Sequence, residues 1–275
     1  MIINNKNIPD RIIELLVSGV KAKKELSGIE DSFVRNEILK ILSHSRKKIE
    51  YFSSHSDTNK ILKSRFYKDV IKKTRAILRK SSGAFIKEAN IKNIKKVLYM
   101  HESTRERIKI YPEVYKKIFN ITGVPKSVLD LGCGFNPLAY NYLNCKPDYY
   151  AFDIDSRIIE TLNIFFKKRK IKGKAKIINL REIKNNKIQL PKTDICFMFK
   201  LLDSIEIEKG HKLSETLIKA VPSKWVIISF STKTLSGKRM RHPYRGWVEQ
   251  ICKRLGYFYE ILEFENEIFY VIKKN

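Results

Sequence analysis

The stretch that most constrains this chain is Ser127-Val128-Leu129-Asp130-Leu131-Gly132-Cys133-Gly134-Phe135-Asn136-Pro137-Leu138-Ala139. Val128, Leu129 and Leu131 make the apolar run of a central strand covered on both faces. Gly132 and Gly134 allow a sharp turn and leave no side chain between the backbone and a ligand. Pro137 suits the first turn of a helix, where no N–H is needed. A helix starting there presents free N–H groups to a carboxylate or phosphate. Strand, turn and helix predict an α/β fold that binds its ligand at the carboxyl ends of its strands. About twenty residues on, Tyr149-Tyr150-Ala151-Phe152-Asp153-Ile154-Asp155 reads as a second strand ending in acids. A carboxylate there can accept both hydroxyls of a ribose. The plainer alternative is a β-α-β crossover whose Asp caps the next helix.

Two cofactor classes use such a turn. A dinucleotide site asks for a third glycine where this chain has Pro137. Asp130-Leu131-Gly132-Cys133-Gly134 instead resembles the first motif of class I methyltransferases that use S-adenosylmethionine (SAM). On that reading Asp130, Gly132, Gly134, Asn136, Pro137, Asp153 and Asp155 border the cofactor.

The 275 residues carry 56 Lys and Arg against 29 Asp and Glu, a formal charge of +27. An excess of that size points to a polyanion, nucleic acid ahead of membrane. The four cysteines show no paired or Cys/His ligand spacing, which predicts reduced thiols, no metal and a cytoplasmic setting. The first ten residues lack a signal-peptide core, and no apolar run approaches a membrane span.

Residues 1–97 read as a basic, all-helical domain. Ile12, Ile13, Leu15, Leu16 and Val20 mark one helix, Phe33 to Leu42 running on toward Phe52 a second, and Ile61 to Lys80 a third that Ser81-Ser82-Gly83 breaks. Over the first hundred residues basic side chains outnumber acidic ones by more than two to one. Lys47, Lys48, Lys63, Arg65, Lys68, Lys72, Lys73, Arg75, Arg79 and Lys80 are the candidate phosphate contacts. Beyond them, Ser103 or Thr104 with Glu106 predicts a capping box for a helix ending near Gly123. Arg107 in that segment suits either the SAM carboxylate, gripped as a bidentate fork, or plain solvent exposure.

A family resemblance rests on three segments: His101-x-Ser103-Thr104-x-Glu106-Arg107, Leu129 through Ala139, and Ala151 through Asp155. Phe199-Lys200-Leu201-Leu202 and Val226 through Lys238, with Thr232-Lys233-Thr234-Leu235-Ser236-Gly237 inside it, agree. Over residues 98–275 the chain resembles the aminoglycoside-resistance 16S ribosomal RNA (guanine-N7) methyltransferases. The resemblance implies a Rossmann-like sheet, parallel with a C-terminal antiparallel hairpin, and a helical N-terminal extension that docks on RNA. It implies SAM as cofactor and small-subunit ribosomal RNA as partner. One departure is Ser231, where the family usually has Pro.

The remaining segments fit that sheet. Lys176 to Asn179 reads as a short third strand, with Asn179 a candidate for the adenine amino group. Thr193 to Phe199 and Trp225 to Phe230 are the fourth and fifth strands, and Phe258 to Phe264 with Ile268 to Ile272 form a terminal hairpin. The turn after Phe199 lacks the Asn/Asp-Pro-Pro-aromatic motif for exocyclic amines, and Cys196 sits mid-strand, so a ring nitrogen is the favoured target. Phe199, Phe230 or Tyr244 are candidates to stack on a base. Lys200 and Lys233 are candidates to hold phosphate or the base carbonyl, and Lys238, Arg239 and Arg241 to close over RNA. The expectation is a monomeric RNA methyltransferase. A methyltransferase of another RNA or a small molecule, and a non-catalytic RNA-binding relative, stay open.

Overall fold

A computed structural model of the chain describes residues 2–3, 6–82, 94–100, 102–185, 189–206, 210–233 and 238–275. Gly83, His101, Thr234, Leu235, Ser236 and Gly237, and the side chains of Lys80 and Ser103, lie outside the described residues. The chain divides into two compact units, Met1–Phe85 and Ile86–Asn275.

The first unit opens with a two-residue antiparallel pair, β1 (Ile2–Ile3) and β2 (Lys6–Asn7). Helices follow: α1 (Asp10–Lys21), α2 (Asp31–Ser43), α3 (Arg46–Ser54), α4 (Thr58–Lys63) and α5 (Arg65–Ser82). Their apolar stripes meet in one core, with Ile12, Ile13, Leu16, Phe33, Ile38, Phe52 and Val70 buried. Two helices expected to be continuous are each split. The second breaks at His44-Ser45, and the third at Ser64, whose Oγ accepts from the Tyr67 N–H at 3.1 Å. Asp57 caps α4 by accepting from Asn59 and Lys60. Short polar residues compete for the backbone at these points, which helical periodicity alone does not register.

The second unit begins with α6 (Ile94–Met100), α7 (Glu102–Arg107) and α8 (Tyr111–Thr122). The boundary expected at 97/98 falls inside α6, whose Val97 and Leu98 are buried in this unit's core. Then come β3 (Ser127–Leu131), β4 (Asp148–Asp153), α9 (Ser156–Arg169), β5 (Gly173–Ile177), β6 (Thr193–Phe199), α10 (Leu202–Ile205), α11 (Lys212–Ala220), β7 (Ser223–Ser231), α12 (Gly246–Leu255), β8 (Phe258–Glu263) and β9 (Glu267–Lys273). The sheet runs β5-β4-β3-β6-β7-β9-β8. Its first five strands are parallel and the last two antiparallel, the arrangement of class I methyltransferases. Both faces are covered. Val128, Phe197 and Phe269 belong to one core with α8 and α9, and Leu129, Met198 and Ile228 to another with α11 and α12.

Three local expectations are corrected. The third strand lies at 173–177, three residues before the predicted run, because Gly173 sets its pairing: a Cβ there would stand 1.9 Å from the Tyr149 carbonyl oxygen. Among the described residues no side chain caps helix α8. Thr104 sits inside α7 and donates to the Leu98 carbonyl at 2.6 Å, while Glu106 pairs with Lys200. The turn at Pro137 enters a 3-10 segment, Asn136–Leu143, in place of an α-helix.

Candidate functional site

The strand order reverses between β3 and β6, so the crevice above β3 is where an open α/β sheet receives its ligand. The turn after β3 fills that position. Gly132 adopts φ 61° and Gly134 φ 48°, left-handed values that favour glycine. A Cβ on Gly132 would lie 2.4 Å from Leu201 Cδ1. The turn is tied to β4 twice. Cys133 N–H donates to the Phe152 carbonyl at 3.0 Å, and Gly134 N–H donates to Asp153 Oδ2 at 2.8 Å. Asp153 Oδ1 accepts from Ile154 and Asp155 N–H. Burial raises the Asp153 carboxyl above its usual range despite those donors.

The two acids that end β4 do different work. Asp155 is buried, caps α9 through Arg157 N–H at 3.0 Å, and forms an ion pair with the Arg157 guanidinium at 2.5 Å. This is the capping role that the sequence left open, and it leaves Asp153 facing the turn.

Behind the glycines lies a buried polar network centred on Asn136. Its amide donates to Asp130 Oδ2 at 2.9 Å. Its carbonyl accepts from the Tyr111 hydroxyl at 3.0 Å, from Tyr115 at 3.4 Å and from Arg107 Nη1 at 3.5 Å. The Tyr149 hydroxyl donates to the same Asp130 oxygen at 2.7 Å. Among the described residues Asp130 Oδ1 has no partner, and burial pushes the carboxyl up to about 6. Pro137 is buried immediately beyond this hub.

Arg107, from the end of α7, is almost fully buried. Its Nε donates to Glu267 Oε2 at 2.7 Å, and its guanidinium lies 4.9 Å from the Phe199 ring centre. Among the described residues its Nη2 has no hydrogen-bond partner. A solvent-exposed Arg107 is therefore excluded. Glu267, at the head of β9, also accepts from the Ser229 hydroxyl and lies 3.9 Å from Lys200 Nζ. Lys200 holds φ 52°, and its N–H donates to Ser229 while its ammonium pairs with Glu106. Phe199 is stacked on Phe197 at 4.7 Å and meets Phe269 edge-on.

The remaining candidates separate. Asn179 follows β5 but caps the turn after it, accepting from Arg181 N–H and donating to Glu182. Phe230 is closed off by Trp247 and Tyr270, so stacking on a base is excluded for it. Tyr244 is half exposed with its hydroxyl on Glu263, and Lys233 pairs with Glu265 at 3.0 Å. Lys238, Arg239 and Arg241 are exposed. In the first unit Lys47, Lys63, Arg65, Lys68 and Lys72 are exposed, whereas four of the expected phosphate contacts have internal partners. Lys48 and Lys73 share Asp69, each at 3.1 Å; Arg79 pairs with Glu25 at 2.8 Å; Arg75 donates to the Gly19 and Val20 carbonyls. The sequence reading missed Glu267, Tyr111, Tyr115 and Tyr149. An acid at the head of the apolar run Ile268–Ile272 was the available signal for the first.

Among the described residues no group of three or more His, Cys, Asp or Glu is placed to hold a metal, and no helix is long and apolar enough to cross a membrane. A family model described as "Ribosomal RNA methyltransferase (FmrO)" matches residues 58–271. A 16S rRNA (guanine(1405)-N(7))-methyltransferase of Frankia casuarinae is 27% identical over 185 residues, 66% of this chain and 64% of that protein. One from Micromonospora echinospora is 29% identical, covering 66% of each, and one from Proteus mirabilis is 34% identical over 52% of this chain and 50% of its own length. The match thus spans just under two thirds of the first two relatives. Among solved structures, the 16S rRNA methyltransferase RmtF in complex with S-adenosyl-L-homocysteine superposes with a TM-score of 0.77 over 98% of this chain and 100% of its own, at 20% identity. The 16S rRNA methylase ArmA superposes with 0.54 over 66% of this chain and 91% of its own, at 30% identity.

Proposed function

The chain belongs to the ribosomal RNA methyltransferase (FmrO) family, and from that premise we propose that it transfers a methyl group from SAM to a guanine N7 of small-subunit 16S ribosomal RNA. The observation that carries the cofactor part is Arg107: a buried guanidinium held on one side by Glu267, with Nη2 left without a partner among the described residues. A buried donor without a partner is costly, and a ligand carboxylate satisfies it with a charge-assisted bond. The turn fits the same ligand. Gly132 and Gly134 keep side chains off the backbone, and Asp153 is the carboxylate tied to that turn, suited to ribose hydroxyls. Asp130 Oδ1, without a partner among the described residues, adds a buried polar group on the strand that leads into the turn, whereas Asn179 is already committed to its own turn.

SAM supplies a methyl group activated on a sulfonium. Guanine N7 has an unshared pair and loses no proton, so the protein need provide no general base. Its task is to bring the acceptor into line and exclude water. Lys200 suits that task as a fixed group, because Glu106 and Glu267 hold its ammonium and its N–H is anchored on Ser229. Glu106 also offsets the lysine's charge, which would otherwise oppose the positive charge that N7 acquires. Phe199 packs beneath the Arg107 guanidinium and fixes its plane. Lys233 and the exposed Lys238, Arg239 and Arg241 follow β7 on the same sheet edge and suit RNA phosphates. The exposed cations of the first unit, Lys47, Lys63, Arg65 and Lys72, add affinity without reading sequence. The protein acts as a monomer on cytoplasmic ribosomal subunits.

The test is incubation with methyl-labelled SAM and, in parallel, isolated 30S subunits, naked 16S RNA and transfer RNA. Label in 16S RNA at a guanine that becomes sensitive to borohydride and aniline supports N7 transfer. Label on another atom, or in transfer RNA alone, overturns the assignment.

A further inference from the structure

The far edge of the sheet carries a charge cluster that the cofactor chemistry does not use. From the last turn of α9 into β5 the chain reads Lys167-Lys168-Arg169-Lys170-Ile171-Lys172-Gly173-Lys174-Ala175-Lys176, with no acid in the run. Every one of its basic residues is exposed. Among the described residues the ion pair within the cluster is Lys172 with Asp148, at 2.9 Å.

The local structure displays these cations. Lys170 is the residue after α9 and holds φ 53°, the left-handed position that normally takes glycine. A lysine there keeps its charge at some backbone strain. Ala175 turns into the core beside α9, so Lys174 and Lys176 share the opposite face of an edge strand, two residues and about 6.6 Å apart. Lys176 registers with Phe152 and Ile177 with Asp153, so the upper end of the cluster lies one strand from the candidate cofactor acid. The α9 dipole accounts for cations in its last turn, and an edge strand benefits from a lysine against aggregation. Neither requires a cation in a left-handed position, nor a run continuing from the helix end across the strand.

We propose that the α9–β5 edge is a docking surface for the phosphate backbone of the substrate RNA, on the catalytic unit itself, separate from the basic first unit. The inference rests on the ribosomal RNA reading above. Exposed lysines on a rigid edge, apart from Lys172 without an ion pair among the described residues, are complementary to a phosphate chain, and they contribute affinity and orientation without base reading. Because the edge adjoins β4, RNA held there is anchored on the same rigid sheet as the candidate methyl-donor site.

The experiment uses the full chain with Lys168→Ala, Lys170→Gly, Lys174→Ala and Lys176→Ala combined. Binding to 30S subunits and to naked 16S RNA is measured across a salt series, with SAM affinity by calorimetry alongside. The expected result is binding weaker by about tenfold and a log–log salt slope shallower by about three, with SAM affinity unchanged. Lys170→Gly alone should melt higher, because the left-handed strain is relieved, yet bind RNA about twofold more weakly. A purely structural role for Lys170 would not separate those two readouts. Unchanged RNA affinity and slope in the combined variant, while the wild type methylates the subunits, overturns the surface and leaves the function intact. A wild type that neither binds nor methylates RNA overturns both. Loss of binding to phosphatidylserine vesicles with RNA binding unaltered reassigns the edge to a lipid surface and overturns the proposal.

Discussion

Replacing Glu267 by Gln tests how the site is held together. Gln preserves the volume and can accept from Arg107 Nε while facing Ser229, so the change is close to the removal of one charge. That charge is the ion-pair partner of a guanidinium that is 1% exposed, at 2.7 Å. Taking one partner from a buried pair costs about 3–5 kcal/mol, and with the hydrogen bonds kept the lower end applies, about 3 kcal/mol. For a unit of this size that corresponds to a fall in Tm of about 6–12 °C, read by calorimetry as the transition of the second unit. SAM affinity should fall as well, since Arg107 loses the carboxylate charge that holds its Nε. Adding Arg107→Met to Glu267→Gln removes the stranded charge. The double variant should regain much of the lost Tm while SAM binding stays lost. A Glu267→Gln protein melting within about 2 °C of wild type would show that the pair does not hold the site. So would a double variant no more stable than the single one.

Three further outcomes follow from the same geometry. Gly132→Ala should destabilise the second unit by about 1–2 kcal/mol through its left-handed backbone and the approach to Leu201, and should abolish SAM binding in calorimetry; binding within twofold of wild type would move the cofactor away from this turn. Asp130 should make stability depend on pH: its folded carboxyl keeps a proton up to about 6 whereas an exposed one releases it near 3.8, so the folded state holds the extra proton between those values and stability declines as pH rises through that window. Asp130→Asn should flatten that slope in chemical denaturation, and an unchanged slope would assign it to another group. In the first unit Lys63→Ala with Lys72→Ala should weaken RNA binding and leave melting unchanged, whereas Arg75→Ala should cost about 1.5–3 kcal/mol of stability by releasing the Gly19 and Val20 carbonyls; equal stability effects would contradict the division between exposed and internally paired cations.

The sequence by itself determined the strand and turn around Gly132, because two glycines after an apolar run and an acid about twenty residues later leave few backbones open. It also determined the parallel strands and the final hairpin, where runs such as Thr193–Phe199 and Ile268–Ile272 leave little ambiguity, and the general basic character of the first hundred residues. Local periodicity did not reveal the breaks at Ser45 and Ser64 or the true start of β5, where single polar residues and one glycine outweigh it. What only the tertiary structure decided is which side chains act together. Arg107 and Glu267 are 160 residues apart in sequence and 2.7 Å apart in space, so no local pattern could pair them. Asp153 and Asp155 look equivalent in the sequence, yet the direction of α9 commits one to a helix cap and leaves the other at the turn. The lysines of the first unit are likewise alike until folding supplies Asp69 to two of them and nothing comparable to Lys72 among the described contacts. Burial and proximity set these roles, and both arise only when distant segments pack.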